Sequence, residues 1–399
     1  MAFEQQSHLT VERRLQFQSG LVAVLALSPI VALPFLSNLG VTFSWSYLKL
    51  FALQSATLIA CAGLFIVRRP SLANVLGASG IALPMVFTLL WGALSMTWSN
   101  APWAAAQPLV ELGYMALAVV AFANLLTGPI TRRWFTAVYG AAAGAACLVY
   151  VLCYGVAKTH MRVYPFENPN VGAAFAIVPM AVGVAYAASA VARRVGILAG
   201  LLGLLVAGAC GAAIVTSNSA AAMIAAAGAV FLVVTFSFRG MVRRILLELL
   251  CLGAILLAVW PLLAPDLWPD EWLRRHLGAR PAMWQGAARL VRKSPIRGLG
   301  LGTFMVEYTH VFPLDYAAHP HTSDIVENAH CLPLHVVAEL GVIGALFGAW
   351  LLVRVFQNAR LAARNAGPED RTLLRGLVCG GLGMLAHGLA STSLHQPEC

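Results

Sequence analysis

Apolar residues in this chain come in long unbroken runs, without the one-sided spacing of an element that faces water along one edge. Runs of about 20 residues are what a bilayer core demands of a helix. Eleven qualify: 19–37, 47–67, 76–96, 104–127, 133–157, 169–189, 195–216, 219–238, 243–263, 332–354 and 373–393. The pattern predicts an all-α polytopic integral membrane protein with about 11–12 transmembrane helices. Run 19–37 is read as the first anchor and not as a cleaved signal, because no small-residue cleavage site follows it. Only one stretch between the runs has room for a site in water. The chain therefore divides into N-terminal transmembrane helices (1–263), a large loop containing short helices (264–331) and C-terminal transmembrane helices (332–399).

Composition agrees. Charged residues make up 11% of the chain and hydrophobic ones 60%, where a soluble domain carries about a quarter charged. The net charge of +10 in a soluble protein suggests nucleic acid. Here the basic residues are instead sorted into alternate connections. Arg13 and Arg14, Arg68 and Arg69, Arg132 and Arg133, Arg193 and Arg194, and Arg243 and Arg244 fall on one side. Arg354, Arg360, Arg364, Arg371 and Arg375 join them, whereas the short loops of the other side hold Lys158 and Arg162. Basic loops stay in the cytoplasm, so the N-terminus is expected there and the large loop on the opposite face. No nucleic-acid partner is implied.

Run 195–216 carries Gly200, Gly203, Gly208 and Gly211, which is read as close helix packing in lipid. Glu111, Glu248 and Glu339 lie inside predicted spans and are functional candidates by that position. Glu248 is expected to pair with Arg243 or Arg244. The eight cysteines show no CxxC or zinc spacing and sit mostly in apolar runs, as small hydrophobes do.

The large loop holds the chemistry. Arg274, Arg275, Arg280, Arg289, Arg292, Lys293 and Arg297 lie in a stretch free of acids, followed by a stretch with Glu307, Asp315, Asp324 and Glu327 and no Lys or Arg. Pro281 suits the first position of a helix. Met283, Trp284, Ala287, Ala288 and Val291 then form an apolar stripe at helical spacing, with Arg280 projected over it. An arginine aimed at a buried face needs an anionic partner, either a structural acid such as Glu307 or a ligand phosphate. Gly298, Gly300 and Gly302 follow a helix and not a strand, so a nucleotide loop fails its context and a tight turn back to the membrane is expected. His319, His321, Asp324 and His330 match no dedicated metal spacing, and no metal is inferred. His330 directly precedes the run 332–354, so it sits at a helix mouth with a side chain suited to taking a proton near neutral pH.

His330-Cys331, then Gly341-x-x-Gly344, is similar to the signature of bacterial O-antigen ligases and their relatives, the Wzy-type polysaccharide polymerases. The family has Asn, Ser or Gln where this chain has Cys331. Arg280-Pro-Ala-Met-Trp284 with Ser294-Pro295-Ile-Arg-Gly298-Leu-Gly300, and Asn168-Pro169-Asn170, resemble its other motifs in order. A second arginine of the family pattern is missing at Thr216-Ser217-Asn218-Ser219, and Arg162 is the candidate substitute.

The resemblance implies an inverting, metal-independent transfer of a glycan from undecaprenyl pyrophosphate to an acceptor hydroxyl, with no cofactor. His330 is the implied base and Arg280 the implied leaving-group ligand. Arg162, Asn168, Asn170, Arg274, Arg275, Arg289 and Asn328 are candidate substrate contacts. The acceptor is lipid A core for a ligase and a second glycan for a polymerase, at the periplasmic surface of a bacterial inner membrane. A lipid-linked-glycan flippase is the alternative of another class; it predicts broken helices in paired halves and ionisable residues along the spans.

Overall fold

A computed structural model describes residues 14–26, 28, 45–68, 80–156, 166, 169–238, 240–249, 280–311 and 326–391. The helices in chain order are α1 (14–26), α2 (Trp45–Arg68), α3 (Ala82–Ser95), α4 (Ala106–Leu125) and α5 (Pro129–Tyr150). A 3₁₀ turn (Pro102–Ala105) leads into α4, and a π-helical turn (Val151–Val156) prolongs α5. There follow α6 (Pro169–Val191), α7 (Ile197–Thr216), α8 (Ala220–Thr235), α9 (241–249), α10 (Arg280–Lys293), α11 (Phe304–Tyr308), α12 (Leu332–Asn365) and α13 (Pro368–Gly388). Among the described residues there is no strand. Among the described residues, each apolar run read from the sequence falls largely on helix.

Among the described residues, five helical stretches are long and apolar enough to cross a membrane: Pro102–Leu125, Pro129–Val156, Pro169–Val191, Ile197–Thr216 and Leu332–Asn365. Gln54–Val67, Ala82–Ser95 and Ala220–Thr235 are shorter helices of the same character. On α7, Leu201, Leu204 and Leu205 point outward while Gly200, Ala207, Cys210 and Ala213 point in. Large apolar side chains outside and small ones inside suit lipid, where leucine gains nothing by burial and close backbone approach gains dispersion. The protein is an all-α, multi-pass membrane protein.

Glycines set the tightest helix contacts. A Cβ on Gly183 of α6 would lie 2.3 Å from the carbonyl oxygen of Gly203 on α7. Gly200 packs against Ala190 in the same interface, whereas Gly208 has nothing within 4 Å. The packing expected of the α7 glycines therefore holds closely at Gly200 and Gly203, loosely at Gly211, where a Cβ would lie 3.9 Å from Met180 Sδ, and leaves Gly208 unexplained. Helix α13 brings Gly376 and Gly380 onto Val182 and Val178 of α6, and Gly383 onto Ala225 and Ala229 of α8.

The start of α13 is tied by charge. Arg132 donates through Nε and Nη2 to the two oxygens of Asp370 at 3.0 and 2.8 Å, and through Nη1 to the carbonyls of Leu126 and Thr127. Arg133 pairs with Glu369. Arg244 donates to Glu248 at 2.7 Å, the pairing expected for that intramembrane acid. Glu111 is buried and accepts from Gln107 Nε2 at 2.9 Å, a local helix contact.

Helix α12 differs from the plain span expected over 332–354. It is broken at Gly341, whose φ of 68° and ψ of −173° are not helical. Such a break frees backbone groups that lipid cannot satisfy.

Candidate active site

The glycine loop after α10 crosses the break in α12. Leu299 N–H donates to Ala338 O at 3.0 Å and Gly300 N–H to Glu339 O at 2.8 Å. In return Val342 N–H donates to Pro295 O at 2.9 Å and Ile343 N–H to Ile296 O at 3.3 Å. Those two carbonyls and two amides are among the groups an interrupted helix leaves open, and the loop takes all four of them. Trp91 Nε1 donates to the Leu340 carbonyl at 2.9 Å and Trp98 Nε1 to the Gly298 carbonyl at 3.2 Å, pinning both strands of the crossing. Only glycine fits at its centre. A Cβ on Gly341 would lie 2.1 Å from Ile296 O, and one on Gly298 2.2 Å from Glu339 O, and both residues have left-handed φ. The expected tight turn toward the membrane is thus a backbone-to-backbone clasp.

Glu339 locks it. Its buried carboxylate accepts from Gly302 N–H at 2.9 Å and Phe304 N–H at 3.0 Å, which fixes the loop's exit into α11. His335, one turn earlier on α12, stands 3.7 Å from the same carboxylate with its ring against Phe304. Residue 339 is therefore a structural fastener, and its place inside an apolar run is explained by the two amides it receives.

Helix α10 packs on α11 through Gly286, where the Tyr308 ring lies so close that a Cβ would stand 2.4 Å from it. Its buried face is Ala282, Gly286, Ala287 and Leu290. The stripe is thus turned from the expected Met283–Trp284–Ala288 centre, and Arg280 and Trp284 run along its edge. Burial holds the Arg280 guanidinium below its ordinary pKa, though it stays cationic. Its structural partner is not Glu307: that buried acid accepts from Asn100 Nδ2 at 2.8 Å and lies 3.8 Å from Lys293 Nζ. No carboxylate among the described residues pairs with Arg280.

His330 sits just ahead of α12 at φ 48°, a left-handed conformation uncommon for a side-chain-bearing residue. Its N–H donates to Asn328 Oδ1 at 3.1 Å, a short side-chain turn that holds it there. Burial, the charge of Arg280 and neighbouring His335 lower its pKa to about 4, so at neutral pH the imidazole is uncharged and free to accept a proton. Cys331 is the N-cap of α12 and makes no side-chain capping bond. A residue such as Asn or Ser is a strong cap there, and Cys is not.

A neutral imidazole beside a guanidinium without a described carboxylate can take a proton on one side and an anion on the other. The family model for O-antigen ligase matches residues 202–348, which span this clasp, Arg280 and His330. Over those residues the chain is similar to the O-antigen ligase family. No curated protein matches the chain.

The fold brings Arg280 and His330 within electrostatic reach of each other and lets Asn328 Oδ1 accept from the His330 backbone N–H. It sends Arg289 to the exposed face of α10, where Nη1 reaches Val311 O at 3.4 Å. Asn170 lies upstream of the matched residues, in the first turn of α6, half-buried. Arg162, Asn168, Arg274 and Arg275 lie outside the described residues. Sequence reading missed the clasp and the fastening role of Glu339. Their signal was present as Gly298 and Gly341, two glycines that only a mutual backbone crossing explains.

Proposed function

We propose that the protein is an inverting glycosyltransferase that moves a glycan from undecaprenyl pyrophosphate to a hydroxyl of lipid A core. The observation that carries this reading is Arg280, a partly buried cation with no described carboxylate partner, set beside a neutral His330. In the reaction an imidazole nitrogen of His330 takes the acceptor hydroxyl's proton. The acceptor oxygen bonds to the anomeric carbon from the face opposite the carrier, and the anomeric C–O bond to the diphosphate breaks. Undecaprenyl pyrophosphate leaves with the electron pair, its new charge met by Arg280. Pyrophosphate leaves well unaided, so the chemistry calls for neither a strong general acid nor a metal.

Arg162, Asn168, Asn170, Arg274 and Arg275 are the proposed contacts to the donor headgroup and sugar, and Asn328 orients the base. The arginine sorting supports a cytoplasmic N-terminus, with the loop at the periplasmic surface of a bacterial inner membrane. A flippase fits less well: among the described residues one helix carries a non-helical break, at Gly341, with no paired counterpart.

The test is a transfer assay with the purified full-length chain, undecaprenyl-pyrophosphate-linked glycan and lipid A core, with and without EDTA. Transfer unaffected by chelator and lost in His330→Ala is the expected result. Glycan elongation on the carrier in place of lipid A modification would make the protein a polymerase. Carrier reorientation in vesicles without transfer would make it a transporter.

A further inference from the structure

His387 was not singled out by the sequence. It lies in the last turn of α13 and is 1% exposed, yet neither Nδ1 nor Nε2 has a hydrogen-bond partner. Native proteins rarely leave one buried polar atom unpaired, and here one ring leaves two. A second such group is Trp284, one turn along α10 from Arg280, whose buried Nε1 has no described partner. Arg280 is within electrostatic reach of His387, as it is of His330. Tyr150 and Thr235 also hold unpaired buried hydroxyls, but no cation is among the groups that act on Tyr150.

The chemistry of the ring narrows its ligand. A neutral imidazole offers one donor and one acceptor. A phosphate offers only acceptors at neutral pH and can meet one nitrogen. A sugar hydroxyl can donate to the other. A glycosyl diphosphate presents both kinds of group side by side, and Arg280 draws the diphosphate to this place under the reading given above.

We propose that His387 binds the donor across its glycosidic bond, donating to a diphosphate oxygen through one nitrogen and accepting from a hydroxyl of the first sugar through the other. It positions the donor for attack and takes no part in proton transfer. Once the glycan has left, the spent carrier offers no hydroxyl, and one of the two bonds is lost. His387 therefore makes the site prefer the loaded carrier to the product.

The test compares binding of undecaprenyl diphosphate and undecaprenyl-diphosphate N-acetylglucosamine to the full chain in nanodiscs. Wild type is expected to bind the loaded form at least about tenfold more tightly, the effect of one added hydrogen bond at a dry site. His387→Phe is expected to fold with unchanged thermal stability and to bind both forms about equally. Arg280→Lys is expected to weaken both forms together. A loaded-form preference that survives in His387→Phe, or is absent in wild type, overturns the role of His387 alone. Failure of wild type to bind either carrier overturns the reading of Arg280 as well. If His387→Phe does not fold, His387→Asn is read by the same criterion, because its amide is too short to reach both groups.

Discussion

The two ends of α13 treat polar groups in opposite ways. Asp370 and His387 stand about 25 Å apart along that helix at 1.5 Å per residue. At the first end, Asp370 receives a two-pronged Arg132 and Glu369 receives Arg133. At the second, neither His387 nitrogen has a described partner, and Arg280, within electrostatic reach of that ring, has no described carboxylate. Paired charges hold helices together at modest net gain. A desolvated cation left open is costly unless something else is to fill it, so the contrast separates what the fold uses from what it keeps for a ligand.

Breaking the open end has the larger effects. His330→Ala is expected to cut turnover by about 10²–10⁴-fold with normal insertion and thermal stability, read by transfer assay and melting. Arg280→Lys is expected to cost on the order of 10²-fold, because a point charge replaces a fork. Near-normal activity with Lys would reduce Arg280 to a general electrostatic contact. The base can be sharpened by pH. Burial and the charge of Arg280 lower the His330 pKa to about 4, so kcat/KM is expected to stay flat as pH falls from 7 to 5 and to fall only near 4, as the imidazole gains its proton. Bound diphosphate offsets Arg280 and raises that pKa, so the acid limb of kcat lies above that of kcat/KM. A limb near 6.5 in kcat/KM would mean a solvated ring.

Smaller effects test the supports. Asn328→Ala removes the acceptor that holds His330 N–H and is expected to lower kcat about five- to tenfold with KM unchanged, while Asn328→Asp keeps the acceptor and most activity. Arg132→Ala, at the closed end, is expected to cost about 0.5–1 kcal/mol of stability, because that pair is about a third exposed, and to leave transfer untouched. If Arg132→Ala were the more damaging of the two, the contrast between the ends would fail.

The spans were legible because lipid imposes a length and a composition that no other constraint imitates, as run 169–189 shows by becoming Pro169–Val191. The pairing of Arg244 with Glu248 was legible because helix neighbours are fixed by spacing. His330 and Arg280 were found through motif order. The clasp was not legible, because its bonds join residues about forty positions apart and are made by backbone, which every sequence carries alike. His387 was missed for a related reason: one histidine in an apolar run reads as buried filler until each of its nitrogens is checked for a partner.

The clasp at Gly341 also constrains biosynthesis. The loop residues 295–300 leave the ribosome about forty residues before their partners at 338–343, a delay of several seconds at ordinary elongation rates. Until the later helix enters the bilayer, the earlier loop has no partner for its backbone groups, and Arg280 cannot take its final place. The clasp therefore forms only once α12 has been delivered, and a product truncated before Gly341 is without it.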